Sequence, residues 1–345
     1  MFADAGSEEA MRRNVDFQRL ENMNQKLCVA LAAAGIAVAM ASGAEPAKAD
    51  EYPSRAIEFI IPFGAGGGAD IEGRLLASEM EKVLGVPLTP VNKVGGGGAI
   101  TYTYVKNSEP DGYKIAWSSS SVLTSTNLGN TDFDYDAMDH IGQVEYQPQP
   151  FTVRAEDRWQ SFEEFVEDCR ANPDTYKVAN AGTGSSTHTA AIALMDAVGC
   201  EVVHLPKGIK ERNKSLLNGE ADAMVAPLTG AIKLSKAGKF RMLAIPSAKR
   251  NPVIPEVPTA MELGYDIEFD LFRSLTVAKG TPEDIKLKLA DAMDKAANSD
   301  AFKELAANRG FTIEVLGPDA FAERLAREDE VVKKIFTSAG LIATN

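Results

Sequence analysis

A chain of 345 residues, 45% hydrophobic, 25% charged and 7% aromatic, has the makeup of an ordinary globular protein of roughly two domains. Its 49 acidic residues outnumber 36 basic ones, for a net charge of -13. No Lys/Arg block or basic stripe with interleaved aromatics interrupts that excess, so nucleic-acid binding is excluded, and an anionic small ligand would have to be attracted locally by backbone dipoles or a few cations.

Residues 1–49 read as an export leader with a possible mis-assigned extension at its start. Lys26 precedes an apolar run from Leu27 to Met40, and a small, polar stretch ends on Ala47-Lys48-Ala49. A charged region, an apolar core and a small-x-small site describe a secretory signal peptide. The run falls short of the roughly 20 residues that a bilayer span needs. Cys28 stands at the start of the run, whereas a lipid-anchor cysteine follows it. The polar segment 1–22 has no place in a standard leader, which points either to a true start at Met23 or to an unusually long n-region. Cleavage after Ala49 would leave Asp50–Asn345 in the periplasm with Cys169 and Cys200, two thiols that an oxidising compartment could pair.

From there short apolar strands alternate with amphipathic helices, the pattern of an α/β protein with mostly parallel sheets. Ala56–Ile61 reads as the first strand and stops at Pro62. After a glycine-rich turn, Ile71, Leu75, Leu76, Met80 and Val83 fall on one face of a helix over 71–84. Leu88–Val91 is the next strand, Gly95–Gly98 a glycine loop opening a helix to Val105, and Lys114–Trp117 a strand ending in the run Ser118–Ser121. The proline-bearing stretch around Ile141–Val153 suits a crossover between domains. Ser161 caps a helix through Cys169, with Glu164 completing a capping box. Strands follow at 177–180, 202–205, 223–225 and 241–245, with helices at 185–198 and 212–218. Around Phe269–Ala278 the chain returns to its first domain and then forms helices over 282–297 and 318–336. Residues 50–150 with 271–345 thus make one lobe and 151–270 the other. Two lobes joined by two crossovers can hinge over a ligand between them.

The strongest local feature is the turn Pro62-Phe63-Gly64-Ala65-Gly66-Gly67-Gly68-Ala69-Asp70, set between a strand and a helix. Its glycines let backbone amides turn inward, and the helix adds its positive N-terminal dipole, making an anion cradle without formal charge. A phosphate loop would end in Gly-Lys-Ser/Thr, which is absent, and the dinucleotide fingerprint is matched only loosely. Asp70 reads as a helix-start residue that orders the turn, and its amide variant is expected to be mild. A second loop, Gly182-Thr183-Gly184-Ser185-Ser186-Thr187-His188, also joins a strand to a helix. Ser185 and His188 there raise the question of nucleophilic catalysis, but a serine at a helix start more often caps it or contacts a ligand, and no orienting acid is evident. Ser118, Ser119 and Ser120 supply a third candidate surface, and Arg273 is the cation placed nearest the expected cleft. The three histidines, 140, 188 and 204, show no metal spacing, so neither metal nor cofactor is expected.

Taken together in order, these motifs resemble the Bug or TctC family, the extracytoplasmic solute receptors of tripartite tricarboxylate transporters. The matching residues are Tyr52-Pro53-Ser54-Arg55, Pro62-Phe63 with Gly66-Gly67, Asp70 and Arg74, Val91-Asn92-Lys93 with Gly95 and Gly98, and Pro110-Asp111-Gly112-Tyr113. Further on come Ala181-Gly182-Thr183-Gly184-Ser185 with His188, Asn218-Gly219-Glu220-Ala221-Asp222, Arg250-Asn251-Pro252, Pro255 to Thr259, Glu262-Leu263-Gly264 and Gly280-Thr281-Pro282. The resemblance implies a type II periplasmic-binding-protein fold and a small carboxylate ligand, whether a di- or tricarboxylate, an amino acid or an aromatic acid. It also implies that backbone amides of Phe63, Gly64, Ala65, Gly66, Gly67, Gly68 and Asp70, and of Gly182, Thr183, Gly184 and Ser185, hold one carboxylate, with His188 behind. Departures stand at Leu205-Pro206-Lys207-Gly208, which lacks the family's tyrosine, at Phe272-Arg273-Ser274 in place of Trp-x-Gly, and at Ala226-Pro227. The expected role is ligand capture by a monomer for membrane permease subunits. The alternatives are ligand presentation to a membrane kinase or, without a nucleophile elbow to support it, a periplasmic hydrolase.

Overall fold

The computed structural model describes residues 52–342, so the leader and its cleavage point after Ala49 lie outside the described residues. Two sheets organise the chain. The first has six strands in the order β11-β4-β10-β3-β1-β2, drawn from β1 (Ile57–Ile61), β2 (Leu88–Asn92), β3 (Lys114–Ser119), β4 (Met138–Gln147), β10 (Leu271–Ala278) and β11 (Thr312–Leu316). The second has five, in the order β7-β6-β8-β5-β9, from β5 (Phe151–Arg154), β6 (Lys177–Asn180), β7 (Val203–Pro206), β8 (Ala223–Val225) and β9 (Phe240–Ala244). The chain changes sheet between β4 and β5 and returns between β9 and β10.

The sheets are mixed, which corrects the expectation of mostly parallel ones. β1 is parallel to β2 and β3, and β6 to β7 and β8. Every pairing made by β4, β5 and β10 is antiparallel. These are the strands that carry the chain between sheets, and a strand arriving from the other sheet is free to run against its neighbours. β1 and β10 sit inside the sheet with both faces covered, so their sequences are near-continuous buried runs with no alternation.

Helix α1 (Gly68–Leu84) ends on Gly85, whose left-handed φ of 73° lets its amide bond back to Glu81. Its buried stripe runs through Ala69, Glu72, Gly73, Leu76, Ala77 and Met80, rotated from the face that Ile71, Leu75 and Val83 suggested; Val83 is exposed. Gly73 decides this, because a Cβ there would lie 2.7 Å from Trp117 Cδ1, so the helix comes close to β3 along its smallest residue. Helices α2 (Ala99–Lys106), α4 (Phe162–Ala171), α5 (Ser186–Ala197) and α6 (Gly208–Leu217) match expected helices to within a few residues. Ser161 caps α4 as expected, accepting from the Glu164 amide at 3.2 Å, while the Glu164 carboxylate takes the amide of Gln160.

Four elements escaped the periodicity. Helix α3 (Ser121–Asn127) is mostly Ser, Thr and Asn, poor helix formers; here Ser125 and Thr126 hydroxyls bond back to the carbonyls of Ser121 and Val122, and residues 121–126 are buried. The others are α7 (Leu228–Lys236), α9 (Asp300–Arg309) and β11; α8 (Glu283–Ala297) and α10 (Pro318–Ser338) complete the chain. Cys169 and Cys200 are both buried, free thiols.

Candidate functional site

Two helix N termini face each other across the gap between the sheets. At α1 the first α-helical bond runs from Ile71 N–H to the Gly67 carbonyl, so the amides of residues 68–70 have no partner within the helix. At α5 the Ser185 side chain caps the His188 amide at 3.3 Å, leaving the amides of Ser186 and Thr187 in the same position. Both termini line one small cavity through Gly68, Ala69, Ser185, Ser186 and Thr187. Each terminus carries roughly half a positive charge. Two arginines complete the wall, Arg273 from β10 and Arg212 from α6, with Phe63, Ile209, Pro227 and Leu271 as its apolar parts. The cavity holds about 20 Å³, space for one water. Larger hollows of about 550 and 760 Å³ lie elsewhere, beside Tyr104 and behind the crossovers, but neither brings together the N termini of two helices.

A buried polar network supports the site. Arg273 Nε donates to Glu72 Oε2 at 2.9 Å. Gln147 Nε2 donates to the other Glu72 oxygen at 2.8 Å, and its own oxygen accepts the amide of Thr229 at the start of α7. Glu145 lies 3.7 Å from Arg273. Burial first, and then repulsion from Glu72, push its pKa well above the ordinary carboxylate range, favouring the neutral form. Glu72 and Arg273 therefore balance one another. Arg273 Nη1 has no partner among the described residues, and neither has Arg212 Nη1.

The expected residues separate into three groups. Phe63, Gly68, Ser185 and Arg273 line the cavity. Gly67 closes on it from the side: a Cβ there would lie 2.6 Å from Ile209 Cδ1. Gly64, Ala65 and Gly66 are at or near the surface, and the Gly66 amide is already used by Asp70 Oδ2 at 2.9 Å. Asp70 holds the turn, also accepting from Arg74 Nε at 2.7 Å and Asn92 Nδ2 at 2.9 Å. Burial works to raise its pKa, but these donors outweigh it and hold the carboxyl below its ordinary range.

Gly182, Thr183 and Gly184 face a second glycine loop. At Gly97, φ is +66° and a Cβ would lie 2.6 Å from the Gly184 carbonyl carbon, a contact only glycine permits. Asn130 Nδ2 donates to both the Gly96 and Thr183 carbonyls, and Thr124 Oγ1 to that of Gly184 at 2.6 Å. This loop therefore latches one sheet's elements to the other's. His188 stands behind it, its Nδ1 accepting the Gly184 amide at 3.3 Å and its ring edge-on to His204. Burial, then the His204 charge, lower the His188 pKa to about 4, so the ring is neutral near pH 7. Ser118, Ser119 and Ser120 are fully buried in and after β3. Ser119 bonds Ser121, and Ser120 accepts the Phe272 amide at 3.0 Å; they do not line the cavity. Among the described residues, no group of three or more His, Cys, Asp or Glu is placed to hold a metal ion.

Sequence reasoning missed Arg212 and Ile209. A signal existed, because Ile209, Arg212 and Leu216 share one face of α6, an arginine inside an apolar stripe.

Residues 73–337 match the model of the tripartite tricarboxylate transporter family receptor. Protein BugT of Bordetella pertussis is 30% identical over 295 residues, 84% of this chain and 90% of that protein. The structure of the periplasmic binding protein BugD aligns with a TM-score of 0.79 at 30% identity, covering 84% of this chain and 99% of that one. MatC from Rhodopseudomonas palustris, solved with bound malate, shares the fold at a TM-score of 0.78 and 24% identity, over 82% of this chain and 99% of its own.

Proposed function

This chain belongs to the tripartite tricarboxylate transporter receptor family, and from that premise we propose that it captures a small carboxylate in the periplasm and presents it to membrane permease subunits. It acts as a monomer and performs no chemistry on the solute. The observation that carries this reading is the convergence of two unbonded helix N termini, from α1 and α5, on one cavity between two sheets. Such amides bind an anionic oxygen without a counter-charge of their own. The contributors come from both sides of the gap, so a ligand there stabilises the closed arrangement, and a cavity of about 20 Å³ requires the lobes to part before a solute can enter.

A panel of succinate, malate, adipate, benzoate and aspartate tests the reading by thermal shift. Because a ligand that binds only the folded state stabilises it by mass action, a hundredfold excess over Kd adds about 2.7 kcal/mol, several degrees in Tm. No shift with any acid up to millimolar concentration would overturn it.

A further inference from the structure

Arg212 is fully buried, and among the described residues no carboxylate pairs with it. Its Nε makes one long bond, 3.3 Å, to the side-chain oxygen of its neighbour Asn213, and its Nη1 has no partner. Its Nη2 lies 3.6 Å from where a Cβ on Gly230 would stand, and the Gly68 amide nitrogen lies 3.8 Å from the same point. Arg212 and the first residue of α1 therefore share the wall of one cavity. Burial alone lowers its pKa, to about 10, with no acid to oppose the shift. It nevertheless remains charged at neutral pH. A buried, uncompensated charge is costly unless something arrives to pair with it.

The rest of the wall sharpens the chemistry. It carries two guanidiniums, two helix N termini and hydroxyls, but no carboxylate. The nearest acid, Glu72, has both oxygens engaged, one by Arg273 and one by Gln147. An ammonium placed here would face two cations, and the carboxylate behind the wall already serves Arg273 and Gln147.

We propose that Arg212 is the ion-pairing residue for the solute's carboxylate at the α1 terminus, and that the cavity selects organic acids without a free amino group. This rests on the carboxylate-receptor reading and narrows it. Hydroxy acids are accepted, because the Ser and Thr side chains of the wall accept or donate to a hydroxyl. Amino acids of the same shape are refused.

Malate and aspartate make a direct test, since they differ in a hydroxyl against an ammonium at one carbon. Calorimetry with succinate, malate, adipate and aspartate is run on the wild type, Arg212→Met and Arg212→Lys. Wild type should bind at least one amino-free acid, and malate at least about tenfold more tightly than aspartate. Arg212→Met should weaken the best acid by about a hundredfold or more, with Arg212→Lys intermediate. Without ligand, Arg212→Met should melt no lower than wild type, because an unpaired buried charge has been removed.

Equal binding by Arg212→Met, or a markedly lower melting point for it, overturns the assignment of Arg212 while leaving the receptor reading in place. Tighter binding of aspartate than malate overturns the selection against amines and again spares the receptor reading. If wild type binds none of these four acids, this inference fails; the receptor reading fails with it only if benzoate also gives no thermal shift.

Discussion

Asp70 illustrates how much one side chain can hold in place. Its two oxygens accept from the Gly66 amide, the Arg74 guanidinium and the Asn92 amide. An asparagine would turn one acceptor into a donor facing donors, so a substitution expected to be mild for binding still carries a cost in stability. Asp70→Asn should cost about 1–3 kcal/mol of stability and loosen the turn before α1. A urea titration checks this, and an unchanged midpoint would show that the turn holds without it. Gly97 acts at the same scale by what it lacks. Gly97→Ala adds a Cβ against the Gly184 carbonyl carbon and the Ser185 nitrogen, backbone atoms that cannot step aside, at a φ that itself costs about 1–2 kcal/mol for a residue with a side chain. It should weaken carboxylate binding about tenfold or more by opposing closure. Wild-type affinity in Gly97→Ala would remove the latch from the account.

At the scale of elements, the segment joining β9 to β10 carries a titratable group next to its strand. Asp270 precedes β10 and accepts from the Ser247 hydroxyl. Burial is the main cause raising its pKa to about 7; Glu268 and Glu328 add to the rise, while Ser247 and Arg324 oppose it. With a folded pKa above the unfolded one, the folded state holds this proton more tightly. The contribution to stability is present at low pH and is lost as pH rises from about 4 to about 7. Asp270→Asn, which cannot ionise, should therefore gain on wild type across that window and hold a constant advantage above it. Melting curves from pH 4 to 8 measure the difference, and a difference that does not grow with pH would contradict the shift. Helix α1 makes a related point about elements. Periodicity identified the helix and placed Leu76 and Met80 correctly, but it could not include Glu72, which is buried against Arg273, 201 residues away in sequence. No window of local sequence contains that information.

Across the whole molecule, a net charge of -13 coexists with a cavity whose wall is positive. Long-range electrostatics repel an anionic solute, and screening within about 10 Å at 0.1 M salt leaves the local field in control near the gap. The Gly97–Gly184 contact and the Asn130 bridge join elements of both sheets. Small-angle scattering should show a smaller radius of gyration with a saturating carboxylate than without, and Gly97→Ala should lose that change. An unchanged radius with a bound acid would mean a cleft already closed before binding.

The amino-acid sequence by itself determined the succession of strand, glycine turn and helix, the Ser161 and Ser185 caps, and the glycine loops at Gly95–Gly98 and Gly182–Gly184. These depend on neighbours a few residues apart: φ freedom at glycine, a hydroxyl reaching an amide three residues on, apolar runs bounded by turns. Only the tertiary structure decided which face of α1 is buried, that Ser118–Ser120 are buried outside the cavity lining, that the crossing strands run antiparallel, that the glycine loops meet, and that Arg212 lines the cavity without an acidic partner. Each of these is set by what covers a residue from another part of the chain, and burial cost, ion pairing and strand direction exist only once distant segments have come together.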